Sequence, residues 1–356
     1  MIPHNRLLRT CLLFLLSGWA LQGMAQQAGI IKNEQTGVNK RKAGDPLKYL
    51  PKNMEVLTYF GERADISPDN NRIAFMSKGF GDAMVIDVKK RIINCLTCHM
   101  PGAAFVRVMH LISGDYLLIG PEHFENVQTS KKDNDLWYLS KVPGSLPVKI
   151  GQKVSEGVAV SKTSMKIAFT EMAPKDNLKT FSNIVVAELD TSGERPTLIH
   201  RKTVVESIER SCTVEAQDFY FNDTALIFFC YVPNGAFDVK GINLATMQVT
   251  NFSLAPNAFN EPEGIFPGGK YTTVEMDRQC EWLGGQRGSS NLDIWKLKLD
   301  GTGKNIERLT HFNDYEGGKA ANPVVSTDGK FMAFQAARST DPPGMGRGLL
   351  LYWFNK

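Results

Sequence analysis

Residues 325–334 read VSTDGKFMAF. Ser326-Thr327-Asp328-Gly329 has the composition of a tight turn, and Phe331-Met332-Ala333-Phe334 that of a short apolar strand behind it. The same arrangement occurs at Ile66-Ser67-Pro68-Asp69-Asn70-Asn71-Arg72-Ile73-Ala74-Phe75, and again at Phe266-Pro267-Gly268-Gly269-Lys270-Tyr271-Thr272-Thr273-Val274. Looser copies begin at Ser113-Gly114-Asp115, Ser161-Lys162-Thr163 and Phe221-Asn222-Asp223. The turn positions Ser67, Ser113, Ser161, Asn222, Pro267 and Ser326 are spaced 46, 48, 61, 45 and 59 residues apart. Units of that size, with several strands and no helical period, predict an all-β fold, a β-propeller. Six turns predict six blades.

Each copy is followed by further strands. Asn134-Asp135-Leu136-Trp137-Tyr138-Leu139 and Asn291-Leu292-Asp293-Ile294-Trp295-Lys296-Leu297 are the clearest, and a last strand ends in Leu309-Thr310. Trp137 and Trp295 recur in the middle of this strand, which predicts core rather than a sugar-stacking platform. Unequal spacing predicts inserted loops at Met172 to Ser182 and at Gln279 to Ser290. The copy at Ser326 runs out at Lys356 without a Leu-Thr strand of its own. Glu55-Val56-Leu57-Thr58-Tyr59-Phe60 supplies one, because it matches Glu307-Arg308-Leu309-Thr310-His311-Phe312 at Glu, Leu, Thr and Phe. The N-terminal strand is therefore expected to complete the last blade, since an open ring leaves unpaired strand edges.

These residues resemble the TolB-like β-propeller family, exported six-bladed propellers built from Ser-Pro-Asp-Gly and Leu-Thr repeats. The resemblance covers Glu55 to the C-terminus and rests mainly on the copies at Ser67, Phe266 and Ser326. It implies an envelope propeller that binds other molecules at its loops. The second domain that accompanies the propeller in TolB itself finds no room in the 29 residues between Ala25 and Glu55.

The N-terminus reads as a secretory signal. Arg6 and Arg9 precede an apolar core, Leu12 to Ala20, and Gly23-Met24-Ala25 offers small residues for cleavage after Ala25. The domain expectation is a signal peptide over 1–25, a flexible lead-in over 26–45 and the propeller over 46–356. The mature protein is then periplasmic or extracellular, soluble, and without a membrane span. Net charge is +4 from 41 basic and 37 acidic residues, with no block of like charge, so nucleic acid is not an expected partner. Five cysteines outlast the signal: Cys95, Cys98, Cys212, Cys230 and Cys280. An odd count leaves at least one unpaired unless another chemistry uses it.

Cys95-Leu96-Thr97-Cys98-His99 spells C-x-x-C-H, the attachment site of a c-type haem, with Met100, Met109 or His110 as a second axial ligand. The repeat explains Leu96-Thr97 without haem. On a strict strand, residues three apart face opposite ways. The expectation is therefore no cofactor, with a strand ending at or just before Cys98, Met100-Pro101-Gly102 as a turn, and the cysteines oxidised to each other or to a distant thiol, or free. Haem c on Cys95, Cys98 and His99 is the alternative. No set of zinc ligands is complete, and no metal site is expected.

Asp65, Glu156, Asp218, Glu261 and Glu263 fall where the first strand of a blade begins, and that strand lines the channel of a propeller. The expectation is that they gather near one mouth, with Arg278 pairing them, and hold a cation or cationic ligand. The competing reading is solvated turn carboxylates. No G-x-S-x-G, H-E-x-x-H or phosphate loop is present. The leading functional reading is a binding or scaffold module in the cell envelope, with a protein or envelope glycan at a propeller face. The alternative is an enzyme acting on a glycan or peptide, with Glu156, Glu261 or Glu263 as acid and base.

Overall fold

The computed structural model describes residues 40–355, apart from 131, 173–179, 209–211, 232–236, 256–257 and 343. The expected signal peptide, residues 26–39 of the expected lead-in, and most of the first inserted loop lie outside the described residues.

Six four-stranded antiparallel sheets form the blades of a propeller. Their innermost strands are Glu62–Ile66, Arg107–His110, Val158–Val160, Thr213–Tyr220, Asn260–Ile265 and Gly318–Val325, for blades one to six. The turn that opens each blade is built as its composition demands. The Ser326 hydroxyl donates to Asp328 and accepts from the Phe331 N–H. Ser67 does the same with Asp69 and Arg72. The fourth turn residue has positive φ in both, 68° at Gly329 and 60° at Asn70, which is why Gly and Asn stand there.

The core is not a single mass. Side chains alternate across each strand, and each face packs on a neighbouring blade. In blade one, Ile73 and Phe75 pack with Phe331 and Leu351 of blade six, whereas Ala74 and Met76 pack with Val108 and Leu118 of blade two. A comparable cluster fills each of the other four interfaces. This is why the middle strands read as unbroken apolar runs, and why Trp295 is only 6% exposed.

The Leu-Thr pair works as a clasp. In blade five, the Leu309 and Thr310 N–H groups both donate to the Ile294 carbonyl, and the Ile294 N–H donates to the Thr310 hydroxyl. That hydroxyl donates in turn to Asp293, the residue before Ile294. In blade one, Leu96 bonds the Ala83 carbonyl, Ala83 bonds Thr97, and Thr97 bonds Asp82. Blade four builds the clasp from Phe252-Ser253 on Val239 and Asp238.

The same clasp closes the ring. Met54–Val56 pairs antiparallel with Leu349–Trp353 as the outer strand of blade six. Leu57 and Thr58 then donate to the Leu349 carbonyl, and Leu349 donates to the Thr58 hydroxyl. Gly348 stands where blades one, two, four and five have Asp, so the Thr58 hydroxyl donates to the Phe60 carbonyl instead.

The end of the expected lead-in, Lys40 to Asp45, is tied down rather than free. Lys40 donates to the Leu283 carbonyl, and Lys42 bridges Tyr315 in parallel. The Arg41 guanidinium donates to the Gly284 carbonyl and to Asn313 Oδ1, at 2.7 and 2.8 Å. The second inserted loop is present as expected and carries a short helix, Cys280–Leu283.

Closure has a measurable cost. A chain that starts at residue 60 loses the clasp on Leu349 and the Met54 and Leu57 side chains that pack on blade six; a chain that starts at residue 40 keeps both. The first is expected to melt at least about 10 °C below the second, because several ladder hydrogen bonds and two apolar side chains amount to roughly 3–5 kcal/mol. Equal melting temperatures by circular dichroism would refute closure by this strand.

Candidate functional site

The six innermost strands carry an unusual load of buried charge. Four of them are irregular at this point. Register shifts fall between Glu62 and Asp65, Ala216 and Asp218, Pro262 and Ile265, and Ala321 and Val324. A bulge of this kind re-aims a side chain that strict alternation would send into a blade interface. Arg63, Glu263 and Asn322 each lie four residues before their turn residue, Ser67, Pro267 and Ser326. Arg63 and Asn322 have positive φ, 53° and 49°, a strained conformation for residues with a side chain.

Two groups of residues result, because every blade runs the same way. Glu156, Glu261 and Glu263 are placed toward the start of the innermost strands. The Arg63 guanidinium is in close contact with Glu156 and donates to the Val106 carbonyl. Arg107 donates to the Glu156 carbonyl at 3.0 Å and has Glu263 within 3.9 Å. Asn322 joins two carboxylates: its N–H donates to Glu275 at 2.5 Å and its amide to Glu263 at 3.3 Å. Glu275 comes from the second strand of blade five, directly opposite Glu261. Like charges in that position repel.

Asp65 and Asp218 lie at the other end of the strands. Asp65 accepts from the His110 backbone N–H at 2.7 Å, from its ring Nδ1 at 3.0 Å, and from Lys162 at 2.7 Å. Asp218 accepts from the Ile265 N–H. Of the five expected acids, Asp65, Asp218 and Glu263 line the axial cavity, and the five fall in two groups rather than at one mouth. Arg278 does not join either group; its charged neighbours are Glu281, Arg287 and Asp277 in the blade-five insertion.

Charge balance explains how these groups coexist. Burial raises Glu261, Glu263 and Glu275, and for Glu261 and Glu263 the mutual repulsion among the glutamates raises them further. Glu263 is pushed up to about 8. Burial lifts Asp218 to about 7, despite Lys162 nearby. Asp65 goes the other way: burial alone would raise it, but Lys162 and His110 hold it down at about 2. Burial lowers His110, which keeps its imidazole neutral.

The cavity between the two groups is small, about 50 Å³, and its lining includes Arg63, Arg107, Lys162, Gln217, Asp218 and Glu263. Gln217 is buried, and its Oε1 has no hydrogen-bond partner among the described residues. A larger cavity of about 220 Å³ lies off the axis, between the N-terminal segment and blade six, lined by Asp45, Leu47, Tyr59, Phe312, Arg338 and Arg347 among others. It contains none of the channel groups.

Arg63, Arg107, Lys162, Gln217, Glu275 and Asn322 were not among the expected site residues. The matching offset of Arg63 and Asn322 from Ser67 and Ser326 was the available signal for those two. Glu275 had none, because only its strand pairing brings it to Glu261.

The cysteines resolve into two disulfides and one thiol. Cys95 and Cys98 are joined, with Cα atoms 5.7 Å apart; Cys212 and Cys230 are joined, at 5.4 Å; Cys280 is free and buried. The outer strand of blade one ends at Cys95, and turns follow from Cys98 to Gly102. Thioether attachment of haem would need both the Cys95 and the Cys98 sulfur, and here they are bonded to each other. His99 lies against the Ser145 carbonyl at 3.1 Å. No helix among the described residues is long and apolar enough to cross a membrane.

The protonated channel carboxylates have a consequence for stability. Their folded-state values exceed the ordinary 3.8 and 4.5, so their contribution is fully present below those values. It is lost as pH rises through about 7 for Asp218 and about 8 for Glu263. Urea denaturation is expected to show wild-type stability falling by about 2 kcal/mol or more between pH 6 and pH 9. Glu263→Gln, which needs no proton, is expected to flatten that fall. A wild-type profile flat over this range would contradict protonated carboxylates in the channel.

No protein-family model and no curated protein sequence matches the chain. Solved structures do. A putative TolB from Agrobacterium tumefaciens is similar over 72% of this chain and 77% of its own, at 15% identity and a TM-score of 0.51. A calcium-binding protein, regucalcin, from the same species is similar over 84% and 92%, at 9% identity and a TM-score of 0.51. TolB from Acinetobacter baumannii is similar over 78% and 64%, at 16% identity and a TM-score of 0.45. At such identities the likeness is one of fold: this chain is a six-bladed β-propeller, similar in fold to TolB and to regucalcin.

Proposed function

We propose that this chain is exported and acts as a binding or scaffold module in the cell envelope, recognising a protein or envelope glycan at a propeller face. The reading rests on the size of the axial cavity. About 50 Å³ admits a few waters, an ion or the head of one side chain. It is far below the roughly 300 Å³ at the small end of ligand pockets, so neither a sugar ring nor a peptide bond fits between the channel carboxylates. The charged groups of the channel also bind one another, which suits a rigid face more than an acid and base waiting for substrate. Export is supported by the Arg6 and Arg9 region, the apolar core and Gly23-Met24-Ala25. Nucleic acid is not proposed as a partner, and no cofactor is proposed.

The test separates binding from turnover. The purified mature protein is expected to bind one class of envelope component saturably and to hydrolyse neither peptide nor glycan libraries. Arg63→Glu, which places an acid beside Glu156, is expected to weaken binding at least about tenfold if the partner docks over this mouth. Turnover that vanishes in Glu261→Gln or Glu263→Gln would make the protein an enzyme and overturn the reading. The haem alternative has its own measurement. Protein matured in a host able to attach c-type haem is expected to show no Soret band after denaturation and acid-acetone extraction. A band, with one haem of added mass on the peptide holding Cys95 and Cys98, would reverse this.

A further inference from the structure

The Leu-Thr clasp is built several times over, and blade one departs from the others at a single point. In three of the clasps an acid at the start of the third strand accepts from the clasp hydroxyl: Asp82, Asp238 and Asp293 in blades one, four and five. In blade five, Arg308 stands across from Trp295 and closes on Asp293. In blade four, Asn251 stands across from Lys240 and donates to Asp238 at 3.0 Å. Blade two follows the same rule with Lys149, across from Trp137 and 3.1 Å from Asp135. Blade six has Gly348 in place of the acid, and Val56 is the residue across from Leu350. Blade one has the acid, but Cys95 stands across from Met84, where blades two, four and five supply a nitrogen donor.

The Asp82 carboxylate and the Cys95 and Cys98 sulfurs all lie within 4.8 Å of one another. A disulfide sulfur has no hydrogen to donate. A Cys95 thiol has one, and Asp82 is the acceptor beside it. The reduced pair therefore completes the pattern that the other blades satisfy with Arg, Asn and Lys. The disulfide is also unnecessary for the turn, since Phe252-Ser253, Leu309-Thr310 and Leu57-Thr58 make the same clasp without one. It spans only 3 residues, against 18 for Cys212–Cys230, so it restrains the unfolded chain less. Cys98 is exposed at the blade edge, whereas Cys212 and Cys230 are buried.

We propose that Cys95–Cys98 is a redox-active couple that exchanges two electrons with an external dithiol, with Asp82 as hydrogen-bond acceptor for the reduced Cys95. This stands apart from the channel and does not depend on the binding reading. A thiolate of the dithiol attacks the exposed Cys98 sulfur. The Cys95–Cys98 bond breaks, and Cys95 leaves with the electron pair and takes up a proton. The second thiolate of the dithiol then attacks its own partner's sulfur in the mixed disulfide. Cys98 leaves and is protonated, and the dithiol closes to its disulfide. One disulfide is reduced and one dithiol oxidised, with two electrons and two protons passed. In an exporting compartment the partner is a protein dithiol or, in reverse, a protein disulfide.

The experiment treats the native mature protein with excess dithiothreitol, quenches with an alkylating reagent and reads each cysteine by mass spectrometry. Cys95 and Cys98 are expected to open at least about tenfold faster than Cys212 and Cys230. Asp82→Asn removes the negative charge beside the leaving Cys95 thiolate and is expected to speed that opening. Cys95→Ser with Cys98→Ser is expected to fold and melt within a few degrees of the wild type. Equal opening of the two disulfides would overturn the couple, as would a double variant that fails to fold or melts far lower. An unchanged rate in a folded Asp82→Asn variant would remove Asp82 from it.

Discussion

The peptide of Leu349 holds the ring shut. Its carbonyl accepts from Leu57 at 2.8 Å and from Thr58 at 3.2 Å, and its N–H donates to the Thr58 hydroxyl at 3.1 Å. These bonds join residues nearly 300 positions apart in the chain. Everything central to the fold depends on them. The interface between blades six and one, with Phe331 against Ile73, exists only if blade six is held in place. The channel exists only if six innermost strands face a common axis. A closed ring also has no free sheet edge at this seam, which removes the template for pairing with another chain.

Closure also explains the electrostatics of the channel. Six strands that converge on an axis bring their polar positions into a space too small for bulk water. An ordinary solution is to line such a space with apolar or small residues. This chain lines it with acids and bases, and burial pushes Glu263 and Asp218 well above the ordinary carboxylate range. Burial of neutral acids with hydrogen-bond partners is tolerable where burial of unpaired carboxylates is not. The bulges and the positive φ of Arg63 and Asn322 are consistent with this use, because strained backbone persists only where the surroundings hold it.

Much of the fold was legible in the sequence because turns and clasps are local. Ser-Thr-Asp-Gly at 326–329 needs only its own residues to make its hydrogen bonds, and Glu55 to Phe60 announced its role by matching Glu307 to Phe312. The channel acids were legible for the same reason: each lies a few residues before a turn, on the segment that becomes an innermost strand. What was not legible depends on pairing between strands. Glu275 reaches Glu261 only through the register of blade five. Asp65 and Asp218 part from the glutamates because they stand later in their strands, which matters only once the strands are aligned in space. Arg41 looked like part of a basic lead-in, and only the blade-five insertion shows what it binds.

A repeated fold makes departures from its own pattern informative. The acid at the start of the third strand is matched by Lys149, Asn251 or Arg308 across the sheet, and where the acid is replaced by Gly348 the donor is replaced by Val56. The acid and its donor thus vary together within one chain, as expected if a half-buried carboxylate without a partner costs on the order of a kcal/mol or more. Cys95 alone breaks the rule while keeping the acid. A structural disulfide has no use for a carboxylate beside its sulfurs. A dithiol does, because its hydrogen needs an acceptor. The C-x-x-C-H motif is therefore explained in three parts. Leu96-Thr97 belongs to the clasp, and His99 rests on Ser145 at the next blade. The two cysteines, left over by the fold, are the part that the chemistry of thiol exchange accounts for.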